Sequence, residues 1–326
     1  MNNSTFLQEN EGPINSPGFL AFSILLAVIT IAASLMIGFT IVALFKANAV
    51  PTPVRLYLIN LLFAGLILAL TAMFALITSA VFVLVSSNHP RPRYLCRVYM
   101  WLFTTALVTR LCSLAAFSLS TLAIVIFSKK TINKWIAAII VLTLWLVPML
   151  LSLYIMLPYA FEAQFIHGVA CFPDNNQANL VVPVRYTFLA TWNVFGALMP
   201  LTVSIIVPII CLCYIRRRIV TEGAQYKKGI AKFSLFLVVG GSINFFGQVF
   251  PSLLAFYSAA PGVYLSYGSA VISLLPTPII IVAFLKPVRE QAKRFLPCGQ
   301  LSKQPNIAVK SSATITSSDY TSTTHA

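Results

Sequence analysis

The sequence predicts an all-α membrane protein in which seven transmembrane helices form one bundle. Of its 326 residues, 59% are hydrophobic and 9% are charged, whereas about 25% are charged in a typical soluble domain. The mean hydropathy is +0.88. A membrane helix needs about 20 mostly apolar residues, and seven stretches of the chain are long enough. They cover residues 19–45, 56–86, 98–127, 135–157, 186–215, 233–258 and 263–285.

The basic residues predict the direction in which this bundle is inserted. Of the 22 Lys and Arg residues, 17 follow the odd-numbered spans, four lie on the other side, and Arg110 lies inside the third span. Cytoplasmic loops are rich in Lys and Arg. We therefore predict a multi-pass plasma-membrane protein with an extracellular N-terminus and a cytoplasmic C-terminus. The net charge of +15 then reflects topology and not nucleic-acid binding.

The segments outside the spans are short, so no separate soluble domain is predicted. Residues 1–18 form a polar extracellular N-terminus without Lys or Arg, in which Asn2 and Asn3 begin glycosylation sequons. The transmembrane domain covers residues 19–285, a short amphipathic eighth helix covers 286–298, and a disordered cytoplasmic tail covers 299–326. The odd number of spans and the lack of an internal repeat disfavour a duplicated transporter.

Several spans contain residues that form local motifs in a definite order and spacing. They are Gly38 and Val42 in the first span, Pro53 and Asn60 in the second, Trp145 in the fourth, Pro251 in the sixth and Pro278 in the seventh. Their order and spacing are similar to those of the rhodopsin-like (class A) G-protein-coupled receptors. The similarity extends over residues 19–298, and the resemblance implies a divergent orphan or chemosensory, odorant-type member of that superfamily.

The resemblance also implies two covalent features. Cys96 at the start of the third span and Cys171 in the loop after the fourth match the family's disulfide, which would hold that loop over the mouth of the bundle. Two free cysteines are the alternative. Cys298 stands at the family's lipidation site, where an unmodified cytoplasmic thiol is the alternative.

The sequence departs from the family at the residues that usually carry activation. Ser120-Thr121-Leu122 stands where the Asp-Arg-Tyr signature should fall, and Gly65 replaces the sodium-binding aspartate. Only Pro278 remains of the Asn-Pro-x-x-Tyr motif. These departures favour a divergent chemosensory receptor. Coupling through other basic residues, or signalling without a G protein, are the alternatives.

Arg110 is the one charged residue deep in a predicted span, and it is expected to act as an intramembrane polar hub. It lies 14 residues after Cys96, about 21 Å along a helix and thus near mid-membrane. Buried charges are costly there and often functional, and no span contains an Asp or Glu. Its partners would be carbonyls, hydroxyls such as those of Ser113 or Ser273, water or an anion. A ligand-anion or chloride contact and a snorkelling side chain are the alternatives to a structural hub.

In this fold, the resemblance implies, ligands bind between the outer halves of spans three, five, six and seven. Core packing is the alternative for every aromatic residue among the candidates. The candidate ligand contacts are Phe103, Thr104, Leu107, Tyr186, Trp192, Ser252, Phe256, Tyr264, Tyr267 and Val271.

Two features that bear on ligand binding in this family predict the class of ligand. Phe103 occupies the place where amine receptors carry an aspartate, so a cationic amine is disfavoured and a small neutral or acidic ligand, such as an odorant, is expected. The last span contains no Lys, which excludes a retinal Schiff base. No cofactor and no metal site are predicted.

The expected partners are a small-molecule ligand, a heterotrimeric G protein, arrestin through the Ser/Thr-rich tail, and anionic lipids through the basic cytoplasmic rim. Nucleic acid is not expected. A transporter or ligand-gated channel is the alternative function, although such pathways usually need embedded acids. An enzyme is not expected, because all three histidines lie in loops or the tail.

Overall fold

The computed structural model describes residues 17–85, 93–127, 133–153, 163–166, 170–173, 196, 198–222, 235, 238–243, 268 and 270–295. Its first four helices are α1 (Pro17–Lys46), α2 (Thr52–Val85), α3 (Arg93–Phe127) and α4 (Lys134–Leu151). An antiparallel hairpin follows, with strands β1 (Ala163–Ile166) and β2 (Ala170–Pro173). The later helices are α5 (Met199–Glu222), a segment α6 (238–243), α7 (Pro276–Phe284) and α8 (Lys286–Phe295).

Each of the seven predicted spans contains helix in the described part of the chain. Within those residues, four helical segments are long and apolar enough to cross a membrane by themselves: Ile24–Lys46, Thr52–Phe74, Arg97–Ala123 and Lys134–Leu151. Helices suit this environment because they satisfy every backbone polar group internally. Apolar side chains such as Leu35 (70% exposed) and Leu142 (67% exposed) lie on outer helix faces, where a bilayer would cover them.

The second span begins four residues before its predicted start, at Thr52. Pro53 lies in the first helical turn, where the missing N–H has no intrahelical partner to lose. The backbone N–H of Arg55 already donates to the carbonyl of Pro51 (3.0 Å). Hydropathy alone could not find this start, because the first turn is polar.

The α-helix of the fourth span runs from Lys134 to Leu151. The Asn133 side chain caps its start by accepting a hydrogen bond from the backbone N–H of Trp135 (3.1 Å). At the other end α4 stops at Leu151, and the backbone N–H of Ser152 bonds the carbonyls of Leu150 and Pro148. The predicted end at 157 lies outside the described residues.

The seventh span is interrupted, which hydropathy did not predict. Helix at 270–272 gives way to a turn at 273–275 before α7 begins at Pro276. Pro276 and Pro278 have no N–H to donate back along the helix. The N–H groups of Leu274 and Leu275 instead make tighter three-residue bonds, to the carbonyls of Val271 (3.1 Å) and Ile272 (3.2 Å).

α3 lies at the centre of the bundle and packs against α2, α4, α5 and the β1–β2 hairpin. α1 packs against α2, α7 and α8. Gly65 lies where three of these helices meet. A Cβ at Gly65 would lie 3.5 Å from Ile37 Cδ1 of α1 and 3.6 Å from Leu274 Cδ2, just before α7. Small residues allow such close helix approach in membranes.

α8 turns away from the preceding helix by 104° and lies against α1. Val288 and Ala292 form its buried face. Phe295 meets the ring of Phe39 edge-on, with 5.9 Å between ring centroids, and Lys46 Nζ lies 4.6 Å from the Phe295 ring centroid. These contacts attach α8 to the end of α1. We call this end of the molecule the α8 end.

Candidate functional site

Arg110 is the central residue of α3 and is only 2% exposed. Its Nη1 donates to Ser273 Oγ (3.1 Å), and its Nη2 donates to the Ser273 carbonyl (2.7 Å) and to Thr277 Oγ1 (2.9 Å). All three acceptors belong to the seventh span. Arg110 therefore joins α3 to the interrupted helix. We call Arg110, Ser273 and Thr277 the charged junction.

The interruption of the seventh span explains why its backbone is available to Arg110. Ser273 is the first residue of the turn that precedes α7, so its carbonyl lies where the regular helix has stopped. The Ser273 hydroxyl accepts from Arg110 and donates to the carbonyl of Ala270 (2.7 Å). A guanidinium can donate in several directions within one plane, and here it contacts the break from the side of α3.

Arg110 forms no ion pair with any carboxylate in the described part of the chain. The sequence has only seven acidic residues, and all of them lie outside the predicted spans. The site therefore holds a cation that is surrounded by neutral hydrogen-bond acceptors. Of the two serines expected as partners of Arg110, only Ser273 bonds it.

The other serine, Ser113, belongs to a neutral network one turn further along α3. Trp145 Nε1 of α4 donates to Asn60 Oδ1 of α2 (2.7 Å), and Asn60 Nδ2 donates to Ser113 Oγ (2.7 Å). Ser113 in turn donates to the carbonyl of Thr109 (2.6 Å). This chain of bonds connects α2, α3 and α4. We call Asn60, Ser113 and Trp145 the neutral junction.

Further hydrogen bonds join α3 to α4. The hydroxyls of Thr105 and Ser152 lie 2.7 Å apart, and Thr109 Oγ1 donates to the carbonyl of Leu144 (3.0 Å). Polar side chains often join helices in this way within membranes. One face of α3 is therefore fixed to α4, while Arg110 contacts the seventh span.

This architecture is shared with known proteins. The family model described as "7 transmembrane receptor (rhodopsin family)" matches residues 38–260, more than half of the chain. The chain belongs to this family. Among solved structures, squid rhodopsin has a TM-score of 0.69 at 15% sequence identity, covering 85% of each chain. That likeness shows the fold, and it confirms the predicted seven-helix class. No curated protein matches the sequence.

In this rhodopsin-family receptor, Thr121 is the residue that the sequence predicts at the place of the family signature's arginine. Its hydroxyl donates to the carbonyl of Phe117 on the same helix (2.9 Å). Tyr57 of α2 packs against Phe117, with 6.0 Å between ring centroids. The Tyr57 hydroxyl is buried and has no hydrogen-bond partner among the described residues. Within the described part of the chain, Thr121 and Tyr57 therefore make no polar link between α2 and α3.

Four of the ten candidate ligand contacts lie in the described part of the receptor. Phe103 and Leu107 are half-buried and point toward the core, whereas Thr104 and Val271 are buried. The rings of Phe103 and Tyr99 lie 5.8 Å apart. The other candidates lie outside the described residues: Tyr186, Trp192, Ser252, Phe256, Tyr264 and Tyr267.

The cysteines proposed as a disulfide fall on elements that contact each other. Cys96 lies near the start of α3 and Cys171 lies in β2, and β2 packs against α3. The description of these two residues stops at the backbone, so the disulfide stays a prediction. Asn2, Asn3 and Cys298 lie outside the described residues.

Sequence reasoning singled out Arg110 but missed Thr277 as its partner. It treated Thr277 only as a departure from the family's Asn-Pro motif. Its position one residue before Pro278 was a usable signal, because hydroxyls near a helix break can replace lost backbone bonds. It also missed the bond between Asn60 and Trp145, which are 85 residues apart in sequence.

Proposed function

We propose that this receptor detects a small neutral or acidic ligand, odorants being one such class, and transmits the signal to a heterotrimeric G protein. The observation that carries the proposal is an apolar face on α3 that ends at a buried cation. Tyr99, Phe103 and Leu107 follow one another at four-residue spacing, so they lie on one side of the helix. Arg110 follows one turn after Leu107.

This face favours ligands without a positive charge. Residues 93–109 of α3 include no Asp or Glu, so a cationic amine would lose its hydration there without gaining a counter-charge. Apolar and aromatic side chains suit a neutral ligand. A carboxylate on the ligand would be attracted toward Arg110.

The charged junction offers a route for the signal. A ligand against Leu107 would lie about 4.5 Å along the helix axis from Arg110, at 1.5 Å per residue. Arg110 contacts the break in the seventh span, and that span continues through α7 into α8. A small displacement at Leu107 could thus alter the packing at the α8 end, because packed interfaces tend to have discrete arrangements.

We place the α8 end on the cytoplasmic side, with the N-terminus outside the cell and the receptor in the plasma membrane. Thr121 bonds its own helix, so a G protein would have to use other groups, such as the basic residues that follow α5. Anionic lipids would contact the same basic rim. Arrestin would bind the Ser/Thr-rich tail after phosphorylation.

The test compares two leucines on the same helix. Cells expressing the receptor are screened with neutral, carboxylic and amine small molecules, using cAMP and calcium as readouts. Leu107→Ala should raise the EC50 of an active ligand about tenfold or more, since burying such a side chain contributes about 1.5–3 kcal/mol. Leu102→Ala is the matched control, because Leu102 is 38% exposed on the outer face. Its EC50 should stay within about twofold.

Two further measurements address the partner and the alternative function. The response should disappear in cells lacking G-protein α subunits, and surface expression should be detected through an N-terminal epitope tag. A ligand-gated current that survives the loss of G proteins would instead indicate the channel alternative. Activation by amines alone would contradict the proposed ligand class.

A further inference from the structure

Arg110 combines a buried charge with incomplete neutralisation. The guanidinium is 2% exposed, and its three recorded acceptors are two hydroxyl oxygens and one carbonyl oxygen. None of these carries a formal negative charge. No Asp or Glu lies in any predicted span, so the chain supplies no carboxylate at this depth. A buried cation without a counter-charge is strongly unfavourable in a low-dielectric interior.

Hydrogen-bond donors are also in excess at this site. A guanidinium has five N–H groups. Both groups on Nη2 are used, by the Ser273 carbonyl and Thr277 Oγ1, and Nη1 uses one for Ser273 Oγ. The second N–H on Nη1 and the N–H on Nε find no acceptor among the described residues. The Thr277 hydroxyl accepts from Arg110, and no acceptor for its own hydrogen is found in the same part of the chain.

The adjacent helix adds a favourable field for an anion. α7 begins at Pro276, directly after the turn that holds Ser273, and it runs for nine residues. The N-terminal end of a helix carries a partial positive charge on its backbone N–H groups; among the first three residues of α7 only Thr277 has such a group, because Pro276 and Pro278 have none. The buried cation and its unused N–H groups belong to α3, the Thr277 hydroxyl and the helix terminus belong to α7, and the two elements favour the same ligand chemistry.

We propose that the charged junction binds a small monovalent anion of the size of chloride. The anion would neutralise Arg110 and accept hydrogen bonds from an unused guanidinium N–H and from the Thr277 hydroxyl. It would be a structural ligand, held between α3 and the start of α7. This proposal does not depend on the identity of the receptor's agonist or of its signalling partner.

The test measures the thermal stability of the purified full-length receptor in detergent, without a signalling assay. Sodium gluconate is replaced stepwise by sodium chloride at constant ionic strength. A ligand that binds only the folded state raises Tm, by about 4 °C for a protein of this size when it is a hundredfold above its Kd. Bromide should act like chloride. A Tm that is unchanged between gluconate and chloride would overturn the proposal.

Two pairs of variants test whether the change of Tm with chloride arises at this site. The first pair replaces one of two arginines. Arg110→Gln should abolish the chloride dependence of Tm. Arg55→Gln removes the same charge from Arg55, whose guanidinium makes one long hydrogen bond in the described part of the chain, to the Phe45 carbonyl (3.5 Å), and should keep that dependence. An Arg110→Gln variant that retains the full chloride effect would also overturn the proposal, because the ion would then bind elsewhere.

A milder variant keeps the test decisive if Arg110→Gln does not fold. Thr277→Val removes the hydroxyl donor and keeps the guanidinium. It should raise the Kd for chloride about tenfold, which is the effect of losing one hydrogen bond to a charged group. Thr143→Val is its control, because Thr143 is exposed and bonds the Ile139 carbonyl of its own helix. Equal chloride affinities in these two variants would count against the site.

Discussion

The neutral and charged junctions lie one turn apart on α3, yet they differ in how well their polar groups are matched. In the neutral junction, Trp145 donates to Asn60 and Asn60 donates to Ser113, and each hydrogen bond is 2.7 Å long. In the charged junction, Arg110 brings five donors to a few neutral acceptors beside an interrupted helix. A matched neutral network favours one arrangement, whereas an unneutralised charge can change its partners. The first is suited to hold the bundle together and the second to respond.

Removing the charge of Arg110 should give the largest difference between the two junctions. Arg110→Leu should reduce agonist potency at least tenfold, because the link between α3 and the seventh span is lost. At low chloride it should leave the stability unchanged or improved, since replacing a buried charge by an apolar group often stabilises a protein by about 1–4 kcal/mol. Agonist dose–response curves and Tm in gluconate buffer measure the two effects separately. Normal potency in a folded Arg110→Leu receptor would refute a responsive role for this junction.

The neutral junction should behave in the opposite way. Asn60→Leu leaves the Trp145 indole N–H and the Ser113 hydroxyl without their partner, which costs about 1–3 kcal/mol. The loss should appear as a lower Tm, and agonist potency of the folded fraction should change little. Asn48→Leu in the exposed α1–α2 turn is the control and should change stability by about 0.5 kcal/mol or less.

A double-mutant cycle sharpens this second prediction. Asn60→Leu and Trp145→Phe should together cost less than the sum of the single variants, because they remove the two ends of one hydrogen bond. The Trp145 ring also packs edge-on against Phe63, with 5.8 Å between ring centroids, and Phe at 145 would keep part of that packing. Simple additivity would mean that the bond carries no coupling.

The smallest expected effect concerns a polar group that belongs to neither junction. The Tyr57 hydroxyl is buried and finds no hydrogen-bond partner in the part of the chain that the structure describes, so Tyr57→Phe removes an unsatisfied group and keeps the ring against Phe117. We expect stability to rise by up to about 1 kcal/mol, measured as a higher Tm. A clear fall in Tm would mean that this hydroxyl has a partner in the functional receptor.

Much of the fold could be predicted from composition and periodicity, and less of the site could. The length of the apolar stretches predicted the spans, because a helix needs about 20 mostly apolar residues to cross a bilayer. Hydropathy could not locate the interruption at Ser273, since the residues around it are as apolar as those of an intact helix. Two prolines two residues apart, Pro276 and Pro278, were the available signal. The bond from Trp145 to Asn60 could not be predicted, because it depends on how helices rotate against one another.

Composition and the placement of charges are enough to predict a multi-pass helical membrane protein of receptor-like topology, with one cation deep in the bundle. Those conclusions follow from which residues a hydrocarbon environment accepts and which it penalises. The packing of the helices determines that Arg110 bonds Ser273 and Thr277 while Ser113 bonds Asn60. The physical reason is that a buried polar group takes the acceptors that neighbouring helices bring within reach. The packing of the helices determines which acceptors lie within hydrogen-bond distance, and the local sequence does not encode that packing.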